Sequence, residues 1–300
     1  MTLHELHTHL TNQKTTEEFQ RLFHGRGGLF EEYKHLTIDS IDTIISVAFY
    51  APKEDEEEII EMVKNFLLSS GHATLIVQRR YDGGARTEVV LGEVPESAVA
   101  IENGMYFKLN LLSNQNSGYF PDMKNGRTYV REHAKDKNVL NLFSYTCAFS
   151  VAALLGGAKT VVNVDMSKGA LSTGKANHTL NALDTRGISF LPYNILKSFS
   201  GIRKKGPFDM IIIDPPSFQR GSFEATKDYI KIVQRLDMLS DEDCIVMACL
   251  NAPELTSDFI IDLFKEHAPQ FVFSHRLENL KEFASIEEEK SLKNLIFIKK

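Results

Sequence analysis

Residues 139–300 alternate short apolar runs with helix-length segments, and that alternation constrains the fold more than any other feature of the chain. Runs at 139–143, 160–165, 188–192, 209–214, 244–249, 270–274 and 294–299 are too short for helices and carry no consistent polar face. Strands of that kind are buried on both faces, so they predict an α/β fold with a mostly parallel, seven-stranded sheet covered by helices. Two strand ends stand out. Val139 to Phe143 reads as a strand that turns through Ser144-Tyr145-Thr146 into a helix at Cys147 to Gly156. About twenty positions later the run from Thr160 ends in Asp165, the spacing that places a carboxylate on a ribose in nucleotide-binding sheets. The run Met210 to Ile213 ends in Asp214-Pro215-Pro216, whose prolines stop the strand and hold a rigid loop beyond its carboxyl end, where ligands sit in open parallel sheets.

The segment before residue 139 reads differently. Residues 1–40 are polar and helix-prone, interrupted by His24-Gly25-Arg26-Gly27-Gly28. Strands are expected over Thr43 to Tyr50, Ala73 to Arg79 and Thr87 to Leu91, with a helix over Lys53 to Leu68. This predicts a small α+β domain over 1–95, a strand and connecting segment over 96–133, and the sheet domain over 134–300. Met1 to Lys14 has no signal-peptide hydrophobic region, and no stretch has the length of a transmembrane helix, so a cytoplasmic location without membrane partners is expected. The three cysteines suggest neither a disulfide framework nor a metal site, and no metal is expected. Net charge is −6, with 13 Lys+Arg against 20 Asp+Glu in residues 1–133 and 21 against 20 beyond. A nucleic-acid partner calls for a basic surface, and this chain supplies a local patch at best.

Several motifs taken together resemble the large-subunit ribosomal RNA methyltransferases that modify cytosine C5 or guanine N7, a branch of the class I S-adenosylmethionine-dependent enzymes. They are Gln78-Arg79-Arg80-Tyr81, Gly92-Glu93, Glu102-Asn103-Gly104, Gly118 to Asp122, Asn141 to Thr146, Asp165-Met166-Ser167, Asn177 with Asn181, and Asp214 to Phe218. They cover roughly residues 76–300. The resemblance implies a class I methyltransferase sheet and S-adenosyl-L-methionine as cofactor. It further implies a cofactor pocket from Phe120, Asp122, Arg127, Asn141, Phe143, Ser144, Tyr145, Thr146, Asp165, Met166, Ser167, Asn194 and Asp214. In the wider class, a loop like Asp214-Pro215-Pro216-Ser217-Phe218 bonds an exocyclic amine and stacks the target base, which implies acceptor-side roles for Asp214, Pro215 and Phe218. Three departures count. The family usually has a glycine where Cys147 stands, and a cysteine in ordinary dihedrals is expected to tighten the pocket. Asn194 replaces the usual aspartate toward the adenine amino group. The RNA-binding module at the start of many members has no counterpart in the first 75 residues.

Each assignment has a structural rival. Asp165 is either the ribose acceptor or a helix N-cap. The amides of Ser144 and Tyr145 either face the cofactor's carboxylate or belong to an ordinary polar turn. Cys249 ends an apolar run near Asp214 and is expected at the carboxyl edge. There it is either the thiolate that a C5 methylation needs or a small buried hydrophobe. Cys147 and Cys244 read as structural. Arg79, Arg80 and Arg86 either contact phosphate or protect an edge strand. His24 to Gly28 either holds a phosphate or is a plain turn, and Glu54 to Glu58 reads as a solvated helix face. The expected function is methyl transfer to an RNA base, with ribosomal RNA as partner. The alternatives are a small-molecule or protein methyltransferase and a non-catalytic cofactor-binding relative.

Overall fold

The structure, a computed structural model, describes residues 1–82, 87–113, 116–219 and 223–300, with backbone alone for Phe218 and Gln219. The chain divides into two compact units: Met1–Pro121 with Leu280–Glu288, and Asp122–Asn279 with Glu289–Lys300. Residues 96–121 therefore belong with the first unit and 122–133 with the second.

The first unit runs α1 (Leu3–Thr11), β1 (Gln20–His24), β2 (Leu36–Ile41), β3 (Ile44–Phe49), α2 (Glu56–Ser70), β4 (Thr74–Arg79), β5 (Thr87–Leu91), β6 (Val99–Glu102) and β7 (Met105–Lys108). A five-stranded sheet has the order β1-β2-β3-β4-β5, and β6-β7 forms a separate hairpin. Only β3 and β4 pair in parallel, as their crossover through α2 requires. The polar start was expected to be helical, yet Gln20–His24 and Leu36–Ile41 are strands. In β1 the sheet-edge position tolerates polar ends around buried Leu22 and Phe23, and in β2 Leu36, Ile38 and Ile41 are buried. A second correction concerns the acidic run: Glu56 is buried, and accepts from Arg79 Nε at 3.0 Å and Tyr81 OH at 2.7 Å.

The second unit runs α3 (Lys124–His133), β8 (Asn138–Leu142), α4 (Ala148–Leu155), β9 (Thr160–Val164), α5 (Lys168–Leu180), β10 (Ile188–Leu191), α6 (Phe199–Arg203), β11 (Phe208–Ile213), the short pair β12 (Phe218–Gln219) and β13 (Phe223–Glu224), α7 (Ala225–Val233), α8 (Leu236–Leu239), β14 (Ser240–Leu250), α9 (Ser257–His267), β15 (Phe271–Leu277) and β16 (Lys293–Lys299). Its seven-stranded sheet has the order β10-β9-β8-β11-β14-β16-β15. The first five strands are parallel, and β16 runs antiparallel between β14 and β15, so β15 points the same way as the first five. Both faces are covered: Leu140, Leu142, Val164, Ile211 and Ile213 enter one core, and Val139, Val161, Met210, Ile212 and Met247 the other. That double burial is why these strands show continuous apolar runs. Ile213 pairs with Leu142, Leu142 with Val164 and Val164 with Leu191, so the carboxyl ends of β11, β8, β9 and β10 are level. The order reverses at β8, which marks that end as the ligand side. Among the described residues, no helix is long and apolar enough to cross a membrane.

Candidate functional site

The turn after β8 is built from left-handed backbone. Phe143, Tyr145 and Cys147 have φ of 56°, 45° and 63°, a region that side chains with a Cβ enter only when the surroundings impose it. Hydrogen bonds do the imposing. Ser144 N donates to Val164 O at 3.1 Å, Cys147 N to Ser144 O at 2.6 Å, and Asn177 Nδ2 of α5 to Thr146 O at 2.9 Å. Cys147 thus keeps the glycine-type dihedrals, and the expectation of ordinary ones is corrected. Its side chain fits because α5 carries Gly174: a Cβ built there would lie 2.4 Å from Cys147 Sγ. The thiol is fully buried in that notch, and burial pushes it up to about 12.

Asp165 follows β9 and ties the two loops together. Tyr145 N donates to its Oδ2 at 2.9 Å and Ser167 N to its Oδ1 at 2.8 Å. The N-cap of α5 is Ser167, whose hydroxyl accepts from Ala170 N at 3.1 Å, so the capping role falls to Ser167 and not to Asp165. Each carboxylate oxygen accepts one of these bonds and has further lone-pair capacity for a diol. Met166, 49 % exposed, stands beside it, and Asn194 is half-buried just beyond β10. The amides of Ser144 and Tyr145 are engaged within the protein, which corrects their expected use toward a ligand carboxylate. The orphan amides nearest the turn are those opening α4, from Ala148 to Ser150.

Across β8 from Asp165 lies Asp214, at the end of β11. It is half-buried, with a carboxyl pushed up to about 7. Burial is the main cause; the Asp122 carboxylate adds to it and the buried Arg127 guanidinium opposes it. Asp122, Arg127 and Asp214, some ninety residues apart in sequence, are thereby one electrostatic group. Pro215 is buried, and the Ser217 hydroxyl donates to Asn251 O beyond β14. Among the described residues, no group of His, Cys, Asp and Glu could hold a metal ion.

A family model for S-adenosylmethionine-dependent methyltransferases matches residues 20–298. The chain belongs to that family. It is 35 % identical over 190 residues to the ribosomal RNA large subunit methyltransferase I of Aeromonas salmonicida (strain A449), covering 61 % of this chain and 48 % of that protein. It is 29 % identical over 303 residues to YwbD of Bacillus subtilis (strain 168), assigned by name to the ribosomal RNA large subunit methyltransferases, covering 93 % and 74 %. The chain spans about half the length, or less, of several curated relatives it matches. Its structure is similar to SMU.776, assigned as a methyltransferase and complexed with SAH, with a TM-score of 0.88, 25 % identity and coverage of 99 % and 82 %.

The remaining expected residues divide. Phe120 lies in the first unit, 42 % exposed. Phe143 is half-buried with its ring edge-on to Phe223 at 5.0 Å, and Thr146 is buried. Asn141 is buried in β8: its Nδ2 donates to Asn163 Oδ1 at 2.9 Å in a chain that continues through Ser150 to His178, while its Oδ1 has no hydrogen-bond partner among the described residues. Cys249 stands at the carboxyl end of β14 near Asp214, as expected, but its side chain turns inward and packs with Met123, Ile212, Met247 and Ile296. Burial, with Asp214 nearby, raises its thiol well above the usual range. The stacking assignment of Phe218 falls outside the described side chains, and Arg86 outside the described residues. Sequence reasoning missed Tyr229, whose OH donates to Cys249 O at 3.2 Å, and Lys293. Lys293 Nζ is buried and donates to the carbonyls of Ala252, Glu289 and Ser291 at 3.2, 2.7 and 2.9 Å. A lysine opening an otherwise apolar strand was the one available signal.

Two outcomes follow from this geometry. Gly174→Ala should destabilise by about 1–3 kcal/mol through overpacking against Cys147. Adding Cys147→Gly should restore most of that loss, by removing the clash and relieving the left-handed side chain. Denaturant unfolding of both single variants and the double variant checks this, and simple additivity would sink the pairing. Asp214 binds its proton more tightly when folded, so it opposes folding increasingly as pH rises from 3.8 through about 7. Asp214→Asn should therefore raise stability at pH 8 by up to ~4 kcal/mol, with the gain fading as pH falls toward 4. A gain independent of pH in thermal melts would remove the raised carboxyl.

Proposed function

We propose that this protein is a cytoplasmic S-adenosylmethionine-dependent methyltransferase that modifies a base of ribosomal RNA. The observation that carries the reading is a pair of carboxylates at level strand ends on either side of β8, held in opposite environments. Asp165 is fixed by two amides in a half-exposed turn, while Asp214 is desolvated and poised near neutrality. The names of the relatives support ribosomal RNA as substrate, and the family supports the cofactor.

The residues present fit that cofactor. The remaining acceptor capacity of Asp165 suits the ribose hydroxyls, Met166 offers an apolar surface beside it, and Asn194 can accept from the adenine amino group. The opening turn of α4 suits the methionine carboxylate. S-adenosylmethionine supplies a methyl group on a sulfonium, which leaves as a neutral thioether. Positioning is then the main task of the chain. With an exocyclic amine as acceptor, Asp214 accepts a hydrogen bond from it and takes the proton it sheds, which a carboxyl pushed up to about 7 allows at physiological pH, whereas a ring nitrogen such as guanine N7 sheds none. Pro215 and Pro216 restrict the loop that carries it. The stacking face assigned to Phe218 rests on the sequence pattern alone.

Nitrogen is the acceptor that the cysteines favour. Methylation at a pyrimidine C5 needs a thiolate. All three cysteines are buried, with the Cys147 and Cys244 thiols pushed up to about 12 and that of Cys249 raised well above its ordinary value by burial. Cys249→Ala should therefore retain activity within about tenfold of wild type. Complete loss of transfer with cofactor binding intact, together with a covalent adduct on 5-fluoropyrimidine RNA, would establish C5 chemistry instead.

Asp165→Ala should weaken S-adenosylmethionine binding more than tenfold, since hydrogen bonds to a charged group contribute about 1.5–3 kcal/mol each. Isothermal titration calorimetry measures it, and an unchanged affinity removes the ribose assignment. Mass mapping of ribosomal RNA nucleosides from a deletion strain tests the substrate: a missing methylated base is expected, and an intact set refutes RNA.

A further inference from the structure

Two features far apart in sequence, the glycine-containing turn at 24–28 and the arginines ending β4, meet in the first unit at Tyr50. The Arg26 guanidinium lies 4.2 Å from the Tyr50 ring centroid and that of Arg80 lies 5.3 Å from it. The backbone explains the meeting. Strands β3 and β4 run parallel with Phe49 opposite Arg79, and Arg80 N donates to Phe49 O at 2.7 Å. Tyr50 and Arg80 therefore leave the same end of the sheet side by side. Arg26 arrives from a turn whose glycines serve close packing: a Cβ at Gly25 would lie 1.7 Å from Tyr33 O, and one at Gly27 1.9 Å from Ala284 O. The glycines thus belong to packing, and the exposed arginine between them is what the turn presents.

The neighbouring charges are accounted for separately. Arg79 is neutralised by Glu56, Glu88 and Glu57 at 3.0, 2.7 and 3.5 Å. Arg21 is bound to Asp39 and lies over Phe283. Arg80 Nε donates to Gln78 Oε1 at 2.6 Å. Arg26 has no carboxylate partner among the described residues. His24 is neutral, its pKa lowered to about 3 by burial and by Arg21 and Arg26. Arg80 also acts on the buried Asp39 carboxylate, and together Arg26 and Arg80 set two guanidiniums against one half-buried aromatic ring.

We propose that Arg26, Tyr50 and Arg80 form a binding site for single-stranded RNA, in which the guanidiniums meet phosphodiester oxygens and the tyrosine–guanidinium stack offers a face to a base. Arginine and an aromatic ring in one cluster are the combination that single-stranded nucleic acid uses, because every base has a π-face and every linkage a charge. An acidic peptide would use the charges and leave the ring without a purpose. The inference rests on the RNA-methyltransferase reading and assigns it a substrate-holding surface outside the cofactor-binding turns.

The test uses the full chain, a fluorescein-labelled twelve-nucleotide oligouridylate and deproteinised bacterial 23S ribosomal RNA, with S-adenosylmethionine calorimetry in parallel. Replacing both arginines (Arg26→Ala with Arg80→Ala) should lower RNA affinity at least tenfold. It should also reduce the slope of log K against log salt by about 0.7 for each phosphate no longer neutralised. Tyr50→Leu should lower affinity with the slope unchanged, and Arg26→Glu, at an exposed position, should weaken binding without shifting the melting temperature. Cofactor affinity should stay at the wild-type value throughout. If wild type binds RNA and these variants bind it equally well, this surface is wrong and the methyltransferase reading stands. If wild type binds S-adenosylmethionine but neither RNA, the RNA reading itself fails and takes the surface with it. If the arginine variants lose binding to polyglutamate but keep binding to RNA, the partner is an acidic protein and the proposal is overturned.

Discussion

The carboxylate of Asp165 bonded at once to the amides of Tyr145 and Ser167 is the interaction on which the donor side of the site depends. Those amides belong to the turns after two neighbouring strands, so a single charged group fixes the separation of both. The turn after β8 cannot hold its shape alone. Three of its five residues have positive φ with a side chain present, each costing on the order of 1–3 kcal/mol if unsupported. The supports come from outside the turn: Val164 O from β9, Asn177 from α5 and Asp165 from the strand end. Strain at this turn is therefore maintained by the sheet and by α5 together.

Asp165 and Asp214 show how environment separates two carboxylates at the same edge of one sheet. The first accepts two amide hydrogens in a turn with solvent at hand. The second, half-buried, is raised first by desolvation and then by Asp122, and is drawn back only in part by Arg127. A group held near neutrality can both accept a hydrogen bond and carry a proton away, whereas an amide-bound carboxylate serves for gripping. That division matches a donor side that must bind and an acceptor side that must respond to the reaction.

Much of the second unit was legible because its strands are buried on both faces, and continuous apolar runs such as Met210 to Ile213 have no other explanation in a chain this polar. Strand ends carrying Asp165 and Asp214 were legible for the same reason, as the end of an apolar run is visible. What escaped was set by partners distant in sequence. β1 is an edge strand with polar ends, so its composition resembled the helix that precedes it. The conformation of Cys147 is imposed by Asn177, Val164 and the notch at Gly174, none of them near it in the chain. Asn141 lies in an apolar strand where its direction depends on strand parity, and parity turns it toward Asn163. The raised carboxyl of Asp214 depends first on its burial and then on Asp122 and Arg127, all of which only the fold brings about.

The acceptor side is fixed by a different device from the donor side. Tyr229 OH donates to Cys249 O at 3.2 Å and lies 3.5 Å from Ile213 O, bridging the carboxyl ends of β14 and β11. Ser217 bonds Asn251 O, and Lys293 reaches Ala252 O from the opposite strand while holding Glu289 O and Ser291 O. A buried ammonium is expensive unless its donors are occupied, and here three carbonyls occupy them. The loop bearing Asp214 is thus anchored to residues 251–252, which are anchored in turn to β16. Methyl transfer leaves little covalent work to the protein, so the rate it can provide depends on holding an acceptor atom in line. The buried lysine and tyrosine therefore brace the strand ends from which the Asp214 loop leaves.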